Sequence, residues 1–290
     1  MSKNKMRSMV GSFVGFFGRY NRWSAPNLPK RYGSTALVTG ASSGIGASFV
    51  RRLAYHGFTK IVVVARRSDR LIQLKAEIEN QFAHCQVTVI SLDLTQASAG
   101  SALCAELEQR AIEVDLVVNN AGFGTLGALE KLPLERALAM VDLNCRAVVE
   151  LSARLLPAMK ERGRGAMIIT SSIVGALPAP WFSVYAATKS FDLYLGEALH
   201  GECLGSGVDV LTVLPGLTKT EFHAGLGDRE YHSPYRSADQ VADTALSALG
   251  RKSIVVDGLF NKILVHGARF LPRGVALWLS RRIMKIELGL

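Results

Sequence analysis

Thr39-Gly40-Ala41-Ser42-Ser43-Gly44-Ile45-Gly46 is the stretch on which the reading of this chain turns. A β-branched and apolar run, Thr35–Thr39, leads into it, and an apolar periodic stretch (Ile45, Phe49, Leu53) leads out. A strand, a tight glycine turn and a helix start therefore meet here. Glycines let backbone N–H groups approach a pyrophosphate, and the positive end of the helix dipole adds attraction. Gly40, Gly44 and Gly46 read as that turn, with Ser42, Ser43 and Ile45 in the same loop. Glycine turns also serve purely as turns, so the reading needs support from elsewhere in the chain.

The layout supplies some of it. Strand-like runs at Ala36–Thr39, Lys60–Ala65, Val87–Leu92, Leu116–Asn119, Ala166–Ser171, Val208–Leu214 and Ser253–Val256 alternate with helix-like stretches. The helical intervals include Ser68–Phe82, Gln96–Ala111, Leu134–Glu161 and Ser183–Leu204, and another follows Ser237. The strands are continuously apolar, as expected when both faces of a parallel sheet are covered. The rhythm predicts a doubly wound α/β fold of about seven parallel strands with helices on both faces. Three segments follow: a leader over 1–33, a body over 34–257 and a C-terminal helical extension over 258–290, in which Pro272 starts a helix.

At 290 residues, 49% of them hydrophobic, the chain is long enough for one well-buried domain with extensions. The cysteines (Cys85, Cys104, Cys145, Cys203) show no close pairing, which argues against a disulfide framework or a metal site and suits a reducing compartment. The net charge of +10 is concentrated at the ends. Residues 1–31 hold Lys3, Lys5, Arg7, Arg19, Arg22, Lys30 and Arg31 with no acid. Residues 262–290 hold Lys262, Arg269, Arg273, Arg281, Arg282 and Lys285 against Glu287. Both tails are also rich in apolar residues, which suits an anionic membrane surface better than nucleic acid. The uncharged stretch between Arg7 and Arg19 is too short to span a bilayer, which takes about 20 residues. No convincing small-residue cleavage site follows to make it a signal-peptide core; an organelle transit peptide and a partly packed, partly disordered tail are the other readings of the leader. The uncharged stretch from Gly165 to Thr188 contains Pro178 and Pro180 and reads as a buried strand followed by a site loop.

The second decisive element is Tyr185 with Lys189, one helical turn apart. Ser172 lies thirteen residues before Tyr185, Asn144 lies further upstream, and Asn120-Ala121-Gly122 and Pro215-Gly216 flank the set. In order and spacing, over roughly residues 34–256, these motifs resemble the short-chain dehydrogenase/reductase family. The resemblance implies a Rossmann fold and a catalytic tetrad of Asn144, Ser172, Tyr185 and Lys189. It also implies a coenzyme held by Gly40, Ser42, Ser43, Gly44, Ile45, Gly46, Asp93, Asn120, Ala121, Gly122, Tyr185, Lys189, Pro215, Gly216, Thr218 and Thr220.

Coenzyme choice is expected from the end of the second strand. An acid there binds the ribose 2′-hydroxyl of NAD; Arg66-Arg67 stand in its place and favour the 2′-phosphate of NADP(H). Arg66 is the first expectation and Arg67 the second. Asp93 resembles an adenine-contacting acid, and Asn120 reads equally as a structural amide. Tyr185 is the expected acid/base: a phenol titrates near 10, and one unit charge at about 4 Å and an effective dielectric of about 20 is worth roughly 4 kcal/mol, about 3 pKa units. Lys189 is expected to supply that charge, Ser172 to bond the substrate carbonyl, and Asn144 to hold a water in a proton path. Thr218 and Thr220 resemble the clamp on the nicotinamide carboxamide.

Substrate contacts are expected from Ser172, Leu177, Pro178, Trp181, Phe182 and Tyr185, then from Phe222, Leu226, Tyr231 and Tyr235. These point to an apolar carbonyl compound, such as a fatty-acyl, steroid-like or other lipid ketone. A 3-oxoacyl thioester reductase, a dehydrogenase working in the alcohol-oxidising direction and a non-catalytic NADP-sensing protein are the rival readings. The resemblance further implies a homo-oligomer joined through Leu134–Glu161 and Ser183–Leu204. The expected location is cytoplasmic with peripheral membrane contact, organelle targeting by the leader being the alternative.

Overall fold

A computed structural model of the chain describes residues 27–224 and 234–288. Seven strands form one parallel sheet: β1 (Thr35–Thr39), β2 (Lys60–Ala65), β3 (Gln86–Ser91), β4 (Leu116–Asn119), β5 (Gly165–Thr170), β6 (Val208–Leu214) and β7 (Ile254–Val256), in the order β3-β2-β1-β4-β5-β6-β7. The register pairs Val38 with Val63 and Val118, and Ile168 with Leu211. Each strand feeds both faces. Val38, Val63, Val118, Ile168 and Leu211 join one buried cluster, whereas Leu37, Val62, Val64, Val117 and Ile169 join the other. This period-two division explains why the strands carry no polar alternation.

Two helical layers cover those faces. On one side lie α2 (Gly44–Tyr55), α3 (Ser68–Gln81) and α8 (Ala238–Ala248), which contribute Phe49, Leu53, Leu71, Ile78 and Leu246. On the other lie α4 (Ala99–Gln109), α6 (Ala147–Glu161) and α7 (Ser183–Cys203), which contribute Leu103, Leu107, Leu151, Leu156 and Cys203. A fully buried Phe or Leu contributes about 1.5–3 kcal/mol. Two details depart from the sequence expectation. The short α1 (Leu28–Tyr32) lies within the expected leader, yet Leu28 and Tyr32 are buried in the first core cluster, and the Tyr32 hydroxyl donates to Asp209 at 2.7 Å. Part of that leader is thus body. The expected helix Leu134–Glu161 is also not continuous: α5 (Leu134–Val141) passes into a π-helical turn, Asp142–Arg146, before α6 begins.

Between β1 and β4 the strand order reverses direction, and in such sheets the crevice beyond the carboxyl ends at this point is where ligands bind. After β7 come α9 (Leu259–Ala268) and α10 (Arg273–Leu288), with Pro272 immediately before the latter. Both pack over that same end of the sheet, beside the cavity described next. Among the described residues no helix is long and apolar enough to cross a membrane.

Candidate active site

The glycine turn follows β1 directly. Gly40 and Gly44 have φ of +65° and +55°, the left-handed region that side chains disfavour. At Gly46 a Cβ would fall against the Gly40 carbonyl and within 2.7 Å of Asn120 Nδ2, so only glycine lets α2 start this close. Thr39 Oγ1 accepts from Asn120 N at 2.9 Å and from Ala121 N at 3.0 Å, and Asn120 Nδ2 donates to Thr39 O at 3.1 Å. Asn120 and Ala121 therefore tie the end of β4 to the turn, the structural role left open by the sequence. Ser43 precedes α2 without capping it through its side chain. Gly44 and Ile45 of the first turn line the cavity, and an uncapped helix start of this kind fits a pyrophosphate.

The two arginines after β2 differ sharply. Arg67 Nη2 donates to Ser42 Oγ at 3.0 Å and to Ser43 Oγ at 2.8 Å, while Nη1 donates to Glu221 Oε2 at 2.8 Å. Arg70 Nη1 donates to the other carboxylate oxygen of Glu221, also at 2.8 Å. Arg66 is more exposed, and among the described residues its one ion-pair partner is Asp93, at 3.9 Å. Arg67, not Arg66, is the guanidinium drawn onto the glycine loop. With Ser42, Ser43 and Arg70 it forms an anion site, which Glu221 now fills with its carboxylate. The two arginines hold the Glu221 carboxyl below the usual carboxylate range by hydrogen bonding. That donor set fits a 2′-phosphate.

Asn144, Ser172, Tyr185 and Lys189 lie close together at the floor of the crevice. Asn144 is fully buried on the π-helical turn, whose extra residue swings its amide inward. Its Nδ2 donates to Phe123 O and to Thr188 Oγ1, both at 3.0 Å, and its Oδ1 accepts from Phe123 N at 3.2 Å. Both amide hydrogens are therefore engaged with the protein. Ser172 lies two residues beyond β5 and caps the 3₁₀ turn Ile173–Ala176, but its contacts to Pro215 O and Val174 N are both 3.4 Å, long enough to be given up easily. Tyr185 stands on the first turns of α7 between Phe182 and Phe222, with ring centroids 5.4 Å from each. Lys189, almost fully buried, donates from Nζ to Thr170 O and to Asp192 Oδ2, both at 2.8 Å.

Electrostatically, burial and Lys189 act on Tyr185 in opposite senses. The Tyr185 phenol is raised above its ordinary value: burial is the main cause, and Lys189 and a hydrogen bond from Ser172 only partly oppose it. Burial also acts to lower Lys189, yet the carboxylate of Asp192 and the phenol outweigh it and raise the ammonium overall. The neighbouring Cys145 thiol is pushed up to about 11, first by burial and then by Asp192. The expected ammonium is present, but it is shared with a carboxylate the sequence reading did not consider.

One cavity of about 870 Å³ runs from the glycine turn to the C-terminal helices. It is lined by Gly40, Ser43, Gly44, Ile45, Arg66, Arg67, Asn120, Gly122, Ser172, Phe182, Tyr185, Lys189, Pro215, Gly216, Thr218, Thr220 and Phe222, all expected. Ser42, Gly46, Asp93, Ala121 and Asn144 stand behind that lining. Trp181 is a correction: it does not line the cavity, and at φ +64° its carbonyl accepts from Gly127 N at 2.8 Å, which makes it a turn residue. Leu226 and Tyr231 lie outside the described residues. The far wall was not foreseen in detail: Ile263, Leu264, Leu271, Leu279, Ile283 and Met284 come from α9, α10 and the link between them. Ser280 anchors α10 by donating to Pro178 O at 2.6 Å. Phe123, Gly124 and Arg136 also line the cavity and were missed.

Residues 34–230 match the family model for short chain dehydrogenase. The chain belongs to the short-chain dehydrogenase family. Within it, the chain is 29% identical over 245 residues to a 7beta-hydroxysteroid dehydrogenase of Collinsella aerofaciens, covering 83% of this chain and 92% of that one. It is 33% identical over 193 residues to a very-long-chain 3-oxoacyl-CoA reductase of Homo sapiens, covering 65% of this chain and 61% of that one. A solved structure of a 7beta-hydroxysteroid dehydrogenase superposes with a TM-score of 0.78 at 26% identity, covering 90% of this chain and 99% of the other. A short-chain dehydrogenase from Sphingobium yanoikuyae in complex with NADPH gives 0.70 at 32% identity, covering 81% and 93%. The chain is accordingly an oxidoreductase of this family.

Proposed function

We propose that this oxidoreductase reduces a ketone or aldehyde on a hydrophobic, lipid- or steroid-like molecule with NADPH as coenzyme. The observation carrying the reading is that Ser172 and Tyr185 meet at one end of a cavity whose far wall is apolar. The residues fit the coenzyme: uncapped amides for the pyrophosphate, and Arg67 with Ser42 and Ser43 for the 2′-phosphate. When bound, the reduced nicotinamide supplies the hydride. Everything else falls to this chain. Ser172 turns its loosely held hydroxyl to the carbonyl oxygen and polarises it. Tyr185, kept protonated at neutral pH by burial, donates its proton to that oxygen as the carbon takes the hydride. Lys189 stabilises the phenolate left behind, and Asn144 braces the Phe123 backbone against α7. A neutral buried phenol is the acid form, the one that carbonyl reduction consumes.

A 3-oxoacyl thioester is the second substrate class, supported by the likeness to the 3-oxoacyl-CoA reductase. We also infer a homo-oligomer, for which the exposed Leu138, Val149, Phe191 and Tyr194 on α5, α6 and α7 speak. Peripheral attachment to an anionic membrane is supported by the outer surface of the C-terminal helices, where Phe270, Leu277, Trp278 and Ile286 are exposed among Arg269, Arg273, Arg281, Arg282 and Lys285. A panel of hydrophobic ketones, aldehydes and acyl thioesters, followed by NADPH absorbance, tests the reading with Tyr185→Phe as the control. Turnover should fall by at least about 10³-fold in that variant with NADPH binding intact. Retained turnover refutes the role of Tyr185.

A further inference from the structure

Asp192 is unused by the mechanism above, and one of its two carboxylate oxygens is buried without a hydrogen-bond partner among the described residues. It is fully buried on α7, three residues beyond Lys189 and on the same helical face. Its Oδ2 takes the Lys189 ammonium at 2.8 Å, while its Oδ1 has no hydrogen-bond partner among the described residues. Burying a carboxylate costs several kcal/mol even when paired, and a leucine or valine would fill such a helix face without that cost. An unsatisfied buried oxygen adds to the expense. The surroundings offer no other reason for a charge. Cys145 on the π-helical turn bears on the pair as a neutral thiol, β5 presents the Thr170 carbonyl, and Tyr185 is the remaining titratable neighbour on α7. Burial raises the Asp192 carboxyl above its ordinary value, and Lys189, the single charged group among the described residues that acts on it, opposes that and favours the carboxylate.

We propose that Asp192 is a positioning residue for the reaction: it fixes the Lys189 ammonium between Thr170 and Tyr185 and offsets part of its charge. The inference rests on Tyr185 being the proton donor. An ammonium held by Thr170 O and Asp192 Oδ2 on two sides has one N–H left for the crevice. Its field at the phenol is that of a partly neutralised pair, so the acid form of Tyr185 persists to higher pH than a lone lysine would permit. Asp192 therefore extends to higher pH the range over which Tyr185 carries the proton that carbonyl reduction consumes.

Asp192→Asn keeps the shape and an acceptor oxygen while removing the charge. The Asp192 carboxylate opposes ionisation of the phenol, so removing its charge moves the alkaline limb of kcat/KM for ketone reduction down, by about one pH unit. The limb for alcohol oxidation moves the same way, and NADPH affinity by fluorescence titration stays within about twofold. An unmoved limb in folded Asp192→Asn protein, with Tyr185→Phe inactive, overturns the proposal and leaves the role of Tyr185 standing. Activity in Tyr185→Phe removes both. If Asp192→Asn does not fold, Asp192→Glu carries the test. The retained charge should leave the limb in place while the longer carboxylate displaces the ammonium and lowers kcat several-fold; a shifted limb or an unchanged kcat overturns the proposal.

Discussion

Arg67→Ala deletes a guanidinium that bonds Ser42, Ser43 and Glu221 across the glycine loop. In the proposed complex this group would exchange Glu221 for the coenzyme 2′-phosphate. A charge-assisted hydrogen bond contributes about 1.5–3 kcal/mol, and Arg67 can offer a phosphate two N–H groups. The Arg67 side chain is 44% exposed, so screening draws the total towards the lower end. About 1.5–2.5 kcal/mol corresponds to a fall of roughly 10- to 70-fold in kcat/KM for NADPH. NADH lacks the phosphate and should change less than about threefold. Arg66 is 67% exposed, with its nearest acid at 3.9 Å, so Arg66→Ala should cost less than about threefold with either coenzyme. Glu221→Gln should tighten NADPH several-fold by removing the competing carboxylate. Steady-state kinetics with both coenzymes on all three variants is the assay. An unchanged NADPH/NADH ratio in Arg67→Ala, or a larger drop in Arg66→Ala, refutes the assignment of the phosphate site to Arg67.

Other consequences can be checked separately. Sedimentation with phosphatidylserine vesicles should capture the intact chain, salt should release it, and Trp278→Ala with Arg281→Glu should weaken capture at least tenfold, since each basic residue near an anionic surface is worth about 1 kcal/mol; equal capture by phosphatidylcholine alone argues against charge-directed attachment. Phe49, fully buried against the sheet, should cost about 3–5 kcal/mol when replaced by alanine, read as a lowered midpoint in urea. His56 is lowered below its ordinary value, chiefly by burial, so the unfolded chain binds the extra proton first. Its contribution is present above about pH 6.5 and is lost as pH falls below it, and His56→Gln should flatten that part of the stability–pH curve.

The fold was legible because it rests on local signals. Each strand is a short apolar run bounded by turn residues, and each boundary lies within one residue of the expectation. The glycine turn could be read because glycine at positive φ is dictated by backbone geometry rather than by partners. What escaped was pairing over long sequence distances. Nothing near Glu221 announces that it meets Arg67 and Arg70, which lie more than 150 residues away. Nothing local separates Arg66 from Arg67 either, since the twist at the end of β2 decides which one points to the loop. Asp192 is different. Its spacing from Lys189 on an otherwise apolar helix face was available in the sequence, and a buried ion pair could have been suspected from that alone. The π-helical turn at Asp142–Arg146 preserves the helical pattern on both sides, so periodicity cannot reveal it.

Two of the cations expected to serve the coenzyme are already held by carboxylates: Lys189 by Asp192 and Arg67 by Glu221. The physical consequences are opposite. The Lys189 pair is buried, where separating the charges would strand each in a low dielectric, so it persists and acts as a fixed, partly neutralised unit. The Arg67 pair is about half exposed, where such pairs are worth 1 kcal/mol or less and exchange partners readily. A phosphate arriving at Arg67 replaces one ion pair with another rather than neutralising a bare charge. Glu221 begins the short helix Glu221–Ala224 that carries Phe222, the ring packed on Tyr185. Displacing the carboxylate would therefore loosen the wall beside the phenol at the moment the phosphate is bound. In the proposed reading, coenzyme specificity and access to the reacting carbonyl would be joined through adjacent residues of one segment, and Glu221→Gln should then alter the KM for the ketone as well as for NADPH.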